Sequence, residues 1–554
     1  MRLSDSERAQ VGTLAELLDC LDDGRGGAQL VFPESTERLA HRDVRARAWG
    51  VSEALLRAGV EPGGLVGILA RTGPETPAAL FGAWAAGAAI SVLPVPPLAL
   101  DPARLAQRLT PIAQRLTHLL VDSSLLPVAE ALSGLCPRLR VIPLARCAPA
   151  PRPARVQPPA PSDTAIVQFT SGSTARPKGV QLSHAAVLHC CASTVQASGV
   201  HAEDVLIAWV PLFHDFGLIT LIIGFWLGFE EHLFSPRRFI SAPAEVVRYL
   251  GDNGGTLFGG PNFAYDRIIE AVGDGGTGSR ELARWRMAMN GGEPVKPGTA
   301  TAFAATMGRH GVPRGAMLPV YGMAEATMSV ACSTPGAEPR MAWLDRRALI
   351  DHGEAVAGRP DSAGSTGLVS VGAPVPGLAL RLVDAACAPV SDGRVGEIEI
   401  RGPSVTSGYL DDPEASAAAF RDGWLRTGDL GVRIDGELYV AGRRKDMIVV
   451  AGRNFFAEDV EDVVRPLAGV YRRRCVAVSD PEAERIVIVA ETEDTAAGPA
   501  LGIRIRAAVT SALELDAVDV QLVPPGTLPR TTSGKWQRAL TARYLRSLKG
   551  TAAS

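Results

Sequence analysis

The sequence predicts an α/β protein: a large N-terminal part of parallel α/β subdomains with a β-rich subdomain, followed by a small α+β unit. Three observations carry this. Helix and strand patterns alternate from about residue 40 to 100, short β-runs with turn residues replace them from about 368 to 441, and alternation returns over the last 110 or so residues. At 554 residues, 46 % of them apolar, the chain exceeds what one core serves, so more than one domain is expected.

Val44 to Ala58 has an amphipathic helical pattern, Leu65 to Ala70 reads as an apolar strand, Pro77 to Gly87 as an apolar helix and Ala89 to Val95 as a second strand. That order is βαβ logic, which calls for a parallel sheet covered by helices. The proline-rich stretch from Ala148 to Ser162 reads as an extended connector. Apolar β-like runs at Val205–Val210, Thr256–Gly259 and Leu318–Tyr321 each end in a polar or glycine-rich cluster, and open α/β sheets bind ligands at such strand ends. Residues 345–366, rich in charge and glycine, read as an inserted surface segment.

A net charge of −3, without Lys/Arg clusters interleaved with aromatics, gives no basic face for nucleic acid. Eight scattered cysteines, with no CxxC pairs or zinc-spaced histidines, fit a reducing, cytoplasmic setting and do not suggest a structural metal. Charged residues stand near the N-terminus where a signal peptide would need an apolar core, so no export is expected. Two uncharged runs fall short of a membrane span: Thr76–Leu100 is broken by prolines, and Phe216–Phe229 is about half the ~20 residues required.

The richest stretch is Gln168-Phe-Thr-Ser-Gly-Ser-Thr-Ala-Arg-Pro-Lys-Gly-Val180. Hydroxyls on Thr170, Ser171, Ser173 and Thr174, a close-approach backbone at Gly172 and the cation of Lys178 make a phosphate cradle after an apolar strand. It is not a Walker A loop, whose order is GxxxxGK[ST]. A Ser/Thr/Gly loop alone is more often a solvated turn, so the companion motifs decide.

Those companions are Trp209-Val-Pro-Leu-Phe-His-Asp-Phe-Gly-Leu218, Gly259-Gly-Pro-Asn-Phe-Ala-Tyr-Asp266, Asn290-Gly-Gly-Glu-Pro294, Tyr321-Gly-Met-Ala-Glu-Ala326, Trp424-Leu-Arg-Thr-Gly-Asp-Leu430, Gly442-Arg-Arg-Lys-Asp446 and Pro529-Arg-Thr-Thr-Ser-Gly-Lys535. Over residues 30 to 540 the ordered set resembles the adenylate-forming, acyl-activating superfamily, and within it the fatty acyl-AMP ligases. The HDFGLI form of the second motif, the GGPNFAYD block and the segment at 345–366 point to that branch.

The resemblance implies an N-terminal adenylation domain over 1–442, a hinge at 443–446 and a small mobile C-terminal domain over 447–554. It implies ATP and Mg²⁺ as cofactors. Thr170, Ser171, Gly172, Ser173, Thr174 and Lys178 would hold the phosphates. Gly291, Gly292 and Glu293 would lie along the adenine with Tyr321 against its face, in a motif that continues through Gly322 and Met323. Glu325 would bind Mg²⁺, although a lone Glu on a helix is usually just solvated. Asp429 would take the ribose hydroxyls with Arg443 nearby, although an Asp in a TGDL turn can equally be a cap. Lys445 would be the pivot, Lys535 would reach the reacting carboxylate and α-phosphate, and His214 would order the acyl group. The uncharged run Gly217–Phe229 is first of all a core helix, whose inner turn would also line an acyl tunnel.

The residues make chemical sense without the family. A carboxylate is already ionised near pH 7 and needs no general base to attack phosphorus. The obstacle is repulsion between anions, which alignment and cations overcome. No Ser-His-Asp or Cys-His nucleophile is evident, and none is needed.

The leading expectation is therefore activation of a fatty or other apolar acid to acyl-AMP, then transfer to the phosphopantetheine thiol of a separate acyl carrier protein, since only nineteen residues follow Lys535. An acyl-CoA synthetase using free CoA is the nearest rival, and a non-catalytic acyl-AMP or nucleotide binder belongs to another class. An amino-acid-activating domain fits less well, because Phe216 to Leu227 carries no Asp for a substrate amine. Residues 452–459 read GRNFFAED where fatty acyl-AMP ligases show a GRNHYPQD-like block, which weakens the acceptor assignment and leaves adenylation standing.

Overall fold

In a computed structural model, the chain is described except for residues 1–4, 9, 22–28, 97–100, 155–157, 171–176, 274, 276–281, 361, 363, 451–452, 481–482, 495–497, 514, 516, 531–535 and 553–554. Two large sheets organise the N-terminal part. The first runs in the order Gly408–Tyr409, Lys178–Ser183, Thr164–Thr170, Ala89–Val92, Leu65–Leu69, His118–Val121, Arg140–Pro143. Its last five strands are parallel, as the βαβ pattern requires, while Lys178–Ser183 turns back antiparallel on Thr164–Thr170. The second sheet has nine strands and a parallel centre of Glu230–Leu233, Val205–Ala208, Leu257–Gly260, Met287–Asn290 and Met317–Gly322.

The two uncharged runs are buried core. In the helix Glu75–Ala85 every residue from Thr76 on is buried, and Trp84 meets its one polar obligation by donating to the Ala165 carbonyl at 2.8 Å. The helix Asp215–Leu227 is apolar around its circumference because neighbours cover it on all sides, and Gly228, at φ +74°, ends it. No helix among the described residues is long and apolar enough to cross a membrane.

Register lines up Met287, Leu257, Leu206, Glu231, Leu30 and Leu39 in one row across the nine-stranded sheet. All six are buried, and Glu231 alone is polar. Neither of its carboxyl oxygens has a hydrogen-bond partner, and it packs so tightly under Gly224 that a Cβ there would fall 1.8 Å from Oε1. Burial raises its pKa well above the ordinary carboxyl value and so favours the neutral acid there.

Between Ala379 and Arg443 an antiparallel sheet replaces the α/β pattern, its longest strand being Trp424–Ile434. The segment at 345–366 is more than a surface loop: it holds the helix Arg346–Asp351 and the start of the strand Ser365–Val369, which pairs with Met341–Asp345. Beyond it, Met447–Val450 and Arg453–Phe456 form a hairpin, and Cys475–Asp480, Arg485–Glu491 and Val518–Val523 form a three-stranded sheet with the helices Ala457–Val464, Gly498–Leu513 and Arg538–Ala552. The helix Arg346–Asp351 touches this C-terminal part. Arg346 Nη1 donates to the Ala512 carbonyl at 2.9 Å, and the Asn454 N–H donates to Asp351 Oδ1 at 3.3 Å.

Candidate active site

Pairing of Thr164–Thr170 with Lys178–Ser183 sets Thr170 opposite Lys178. The loop between them carries Ser171, Gly172, Ser173 and Thr174, which lie outside the described residues, as does Lys535. Lys178 is half-buried, with its ammonium 4.7 Å from the centroid of the Tyr409 ring. The Tyr409 hydroxyl donates to Glu325 Oε1 at 3.1 Å. Glu325 stands on a single 3₁₀ turn, Ala324–Ala326, that follows the strand Met317–Gly322, and not on a longer helix.

Tyr321, at the end of that strand, donates its hydroxyl to Asp429 Oδ2 at 2.6 Å. Arg443 Nε lies 2.8 Å from Asp429 Oδ1, because the two residues are cross-strand partners. Asp429 is 3 % exposed. It does not cap a turn: it lies inside the strand Trp424–Ile434, where Gly428 takes a left-handed φ of +74° and lets the strand kink without ending. Burial and the facing carboxylate raise the Tyr321 pKa well above its ordinary value and keep the phenol a donor, while the carboxylate holds Arg443 charged.

Asn290 ends its strand, and Gly291 and Gly292 follow. A Cβ on Gly291 would fall 2.5 Å from Val320 Cγ2, and Gly292 has φ +83°, so this turn needs bare backbone at both positions. Glu293 Oε1 accepts the Phe263 N–H at 2.6 Å, which places the side chain at the start of the helix Asn262–Val272. A Cβ on Gly322 would lie 1.8 Å from the Met328 carbonyl oxygen, which also accepts the Met323 N–H at 2.9 Å. His214 is the residue before the helix Asp215–Leu227, and Gln168 Nε2 ties its neighbour to the phosphate-loop strand by donating to the Phe213 carbonyl at 2.5 Å.

Lys445 is exposed in the 3₁₀ turn Arg444–Asp446. Its neighbours are fastened in opposite directions: Arg444 Nη2 lies 3.1 Å from Glu397 Oε2, and Asp446 Oδ2 lies 3.3 Å from Arg538 Nη1.

The structure thus joins Arg443, Asp429 and Tyr321 in one cluster and Glu325, Tyr409 and Lys178 in a second, with Tyr321 and Glu325 four residues apart on one loop. Hydrogen-bond acceptors for a sugar thus stand at one end and a carboxylate beside an ammonium at the other, the donor set that a nucleoside polyphosphate requires. No group of three or more His, Cys, Asp or Glu ligands occurs among the described residues. A lone carboxylate oxygen suits Mg²⁺, which binds through one or two carboxylates plus phosphates and not through an all-protein cage. Tyr409 lies outside the quoted motifs, and Gln168 opens the first of them without being given a role. A lone Tyr carries no spacing signal, and only the fold brings it in.

The AMP-binding enzyme family matches residues 24–410, and the chain belongs to that family. Its similarity within the family is to fatty acyl-AMP ligases and acyl-carrier-protein ligases. The long-chain-fatty-acid–AMP ligase FadD26 of Mycobacterium marinum is 32 % identical over 541 residues, 92 % of each chain. The medium-chain-fatty-acid–[acyl-carrier-protein] ligase JamA of Moorena producens is 33 % identical over 515 residues, 86 % of this chain and 85 % of JamA. A solved chain from a study of the fatty acyl-adenylate ligases of E. coli and L. pneumophila superposes with a TM-score of 0.91 at 27 % identity, covering 99 % of this chain and all of that one.

Proposed function

We propose that the protein activates a fatty or otherwise apolar carboxylic acid with ATP to give acyl-AMP, and passes the acyl group to the phosphopantetheine thiol of a separate acyl carrier protein. The observation that carries this is the pair of clusters from Arg443 to Tyr321 and from Glu325 to Lys178, strung along one loop. In this reading Asp429 accepts the ribose hydroxyls, with Arg443 beside them. Tyr321 lies against the adenine, and the bare backbone of Gly291, Gly292 and Gly322 admits it. Thr170, Ser171, Gly172, Ser173, Thr174 and Lys178 hold the phosphate tail, and Glu325 holds Mg²⁺. Bound there, Mg²⁺ would supply charge neutralisation on the phosphates.

In the first step an ionised carboxylate oxygen bonds to the α-phosphorus as the bond to the bridging oxygen breaks and pyrophosphate leaves. The protein's part is to bring the anions together: Lys178 offsets charge on the departing phosphates, and Lys535 bridges the carboxylate and α-phosphate. His214, at the mouth of the helix Asp215–Leu227, orders the acyl head, and the uncharged inner face of that helix lines its tail. In the second step the carrier's sulfur bonds to the acyl carbon, AMP departs with the electron pair, and the thiol proton is released. Residues 447–554 would swing about Lys445 between the two steps, and the cytoplasm supplies both ATP and carrier.

A carrier acceptor is favoured over free CoA by the contacts of Arg346 with Ala512 and of Asp351 with Asn454, through which the inserted segment holds the C-terminal part. JamA, named for transfer to an acyl carrier protein, adds support. The test is incubation with ATP, Mg²⁺ and a panel of acids, followed by mass spectrometry. Label on a holo-carrier is expected. Label on CoA alone would give the rival reading, and no acid-dependent pyrophosphate exchange would leave only a binder.

A further inference from the structure

We propose that Tyr409 is a positioning residue that sets the metal-binding acid and the phosphate-binding lysine before the nucleotide arrives, its hydroxyl aiming Glu325 and its ring seating Lys178. The inference rests on the roles just proposed for Glu325 and Lys178, and adds a residue to which none of the site motifs gives a part.

Tyr409 belongs to a segment built to span the two. The short strand Gly408–Tyr409 pairs with the strand of Lys178, setting Tyr409 opposite Val180, and the Leu410 N–H donates to the Gly179 carbonyl at 2.7 Å. Thr406 extends the same seam: its hydroxyl donates to the Gln181 carbonyl at 2.6 Å and its N–H to the Glu325 carbonyl at 2.8 Å. Thr327, two residues beyond Glu325, is fully buried at a left-handed φ of +68°, a costly conformation for a β-branched residue, and its hydroxyl is anchored on the Ser404 carbonyl at 2.7 Å. Backbone bonds therefore fix the Glu325 turn and the Lys178 strand to one intervening segment. The Tyr409 side chain repeats the connection at the level of the functional groups.

Charge makes the side-chain link necessary. Among the described residues Glu325 and Lys178 form no direct ion pair, and the Lys445 ammonium acts on Glu325 only electrostatically. An unpaired carboxylate and an unpaired ammonium at one site would each turn toward water or toward each other. A phenol satisfies both while neutralising neither: its O–H donates to the carboxylate, and its ring face attracts the ammonium. A phenol has its proton at neutral pH, so the hydroxyl serves as the donor. Both charges stay available for a metal ion and for phosphate oxygens, and partners just outside a metal's own ligands orient those ligands in this way.

The two halves of the role separate in two variants. Tyr409→Phe keeps the ring and deletes the hydroxyl, while Tyr409→Leu deletes both. Binding of a non-hydrolysable ATP analogue is measured by calorimetry with and without metal, and Mn²⁺ bound in the ternary complex is read by its electron paramagnetic resonance signal. Tyr409→Phe is expected to bind the metal-free analogue as wild type does, with Mn²⁺ affinity lowered about tenfold. Tyr409→Leu is expected to lose affinity for the metal-free analogue as well. The inference is overturned if Tyr409→Phe leaves Mn²⁺ affinity within about twofold of wild type, or if both variants weaken the metal-free analogue equally, as general loosening would. Thermal midpoints without ligand report any misfolding, and Tyr409→Phe, which adds no volume, keeps the test decisive if the Leu variant is unstable. If wild type binds no nucleotide, the reading of the whole site falls with it; if it binds and the variants match it, only the role of Tyr409 does.

Discussion

Tyr321 and Asp429, 108 residues apart in sequence, meet through a 2.6 Å hydrogen bond that joins the end of a parallel strand to the interior of an antiparallel one. The bond spans two sheets of different architecture, so the proposed nucleotide-binding surface exists only when both are folded. Breaking it should loosen ribose binding without touching the phosphates. Tyr321→Phe is expected to raise the KM for ATP about fivefold and Asp429→Asn about tenfold, the net effect of about one hydrogen bond each. The double variant should cost less than the product of the two, and strict multiplication in a double-mutant cycle of kcat/KM would refute the coupling.

In the proposed mechanism Lys535 acts in one half-reaction only. Lys535→Ala should abolish acid-dependent pyrophosphate exchange while transfer from supplied acyl-AMP to a holo-carrier stays within about threefold of wild type, the loss being that of one cation at the transition state. Equal loss in both assays would mean that this lysine does not serve adenylation alone.

Glu231 should make the fold less stable as pH rises. Its folded pKa lies above the unfolded value, so the fold holds the extra proton, and stability declines as pH climbs past the ordinary carboxyl value of 4.5. Glu231→Met, similar in volume and without the unpartnered oxygens, is expected to gain about 1–3 kcal/mol at pH 8 and less at pH 5. Urea midpoints at the two pH values decide it; a destabilised variant at pH 8 would show that the carboxyl has a partner in solution.

His184 has the opposite sign. It is 1 % exposed, its Nδ1 accepts the Leu14 N–H at 3.1 Å, and burial lowers its pKa to about 4. The unfolded chain then binds the extra proton, so this contribution is complete above about pH 6.5 and drains away toward pH 4, about 3 kcal/mol in all. His184→Gln should flatten acid unfolding over that window. A midpoint that falls as steeply in the variant would assign the acid sensitivity elsewhere, His41 being the next candidate because burial holds its pKa at about 4 as well.

Much of this was legible in the residues. Alternating periodicities announced the parallel sheets, and prolines together with run length excluded membrane spans for Thr76–Leu100 and Phe216–Phe229, both of which contribute buried helices. Element ends moved by a few residues: the helix expected over Val44–Ala58 begins at His41, because Asp43 folds back to accept the Ala40 N–H at 3.2 Å and starts it earlier. The TGDL stretch looked like a turn because a left-handed glycine marks turns and bulges alike, and only pairing with Glu437–Arg443 tells them apart. Tyr409 was illegible for a different reason. Its meaning lies in the two side chains that it touches, Lys178 and Glu325, and a contact made across the fold has no sequence pattern.

The turn at Lys445 carries a mechanical consequence. With Arg444 screwed to the frame through Glu397 and Asp446 to the leaf through Arg538, neither plate of the proposed door hinge can slip, and the pin between them is one solvent-washed residue. Swinging the leaf would then strip neither fastening, while the bonds of Arg346 to Ala512 and of Asn454 to Asp351 would limit its arc, and stiffening that spot with proline should jam the door without damaging either room.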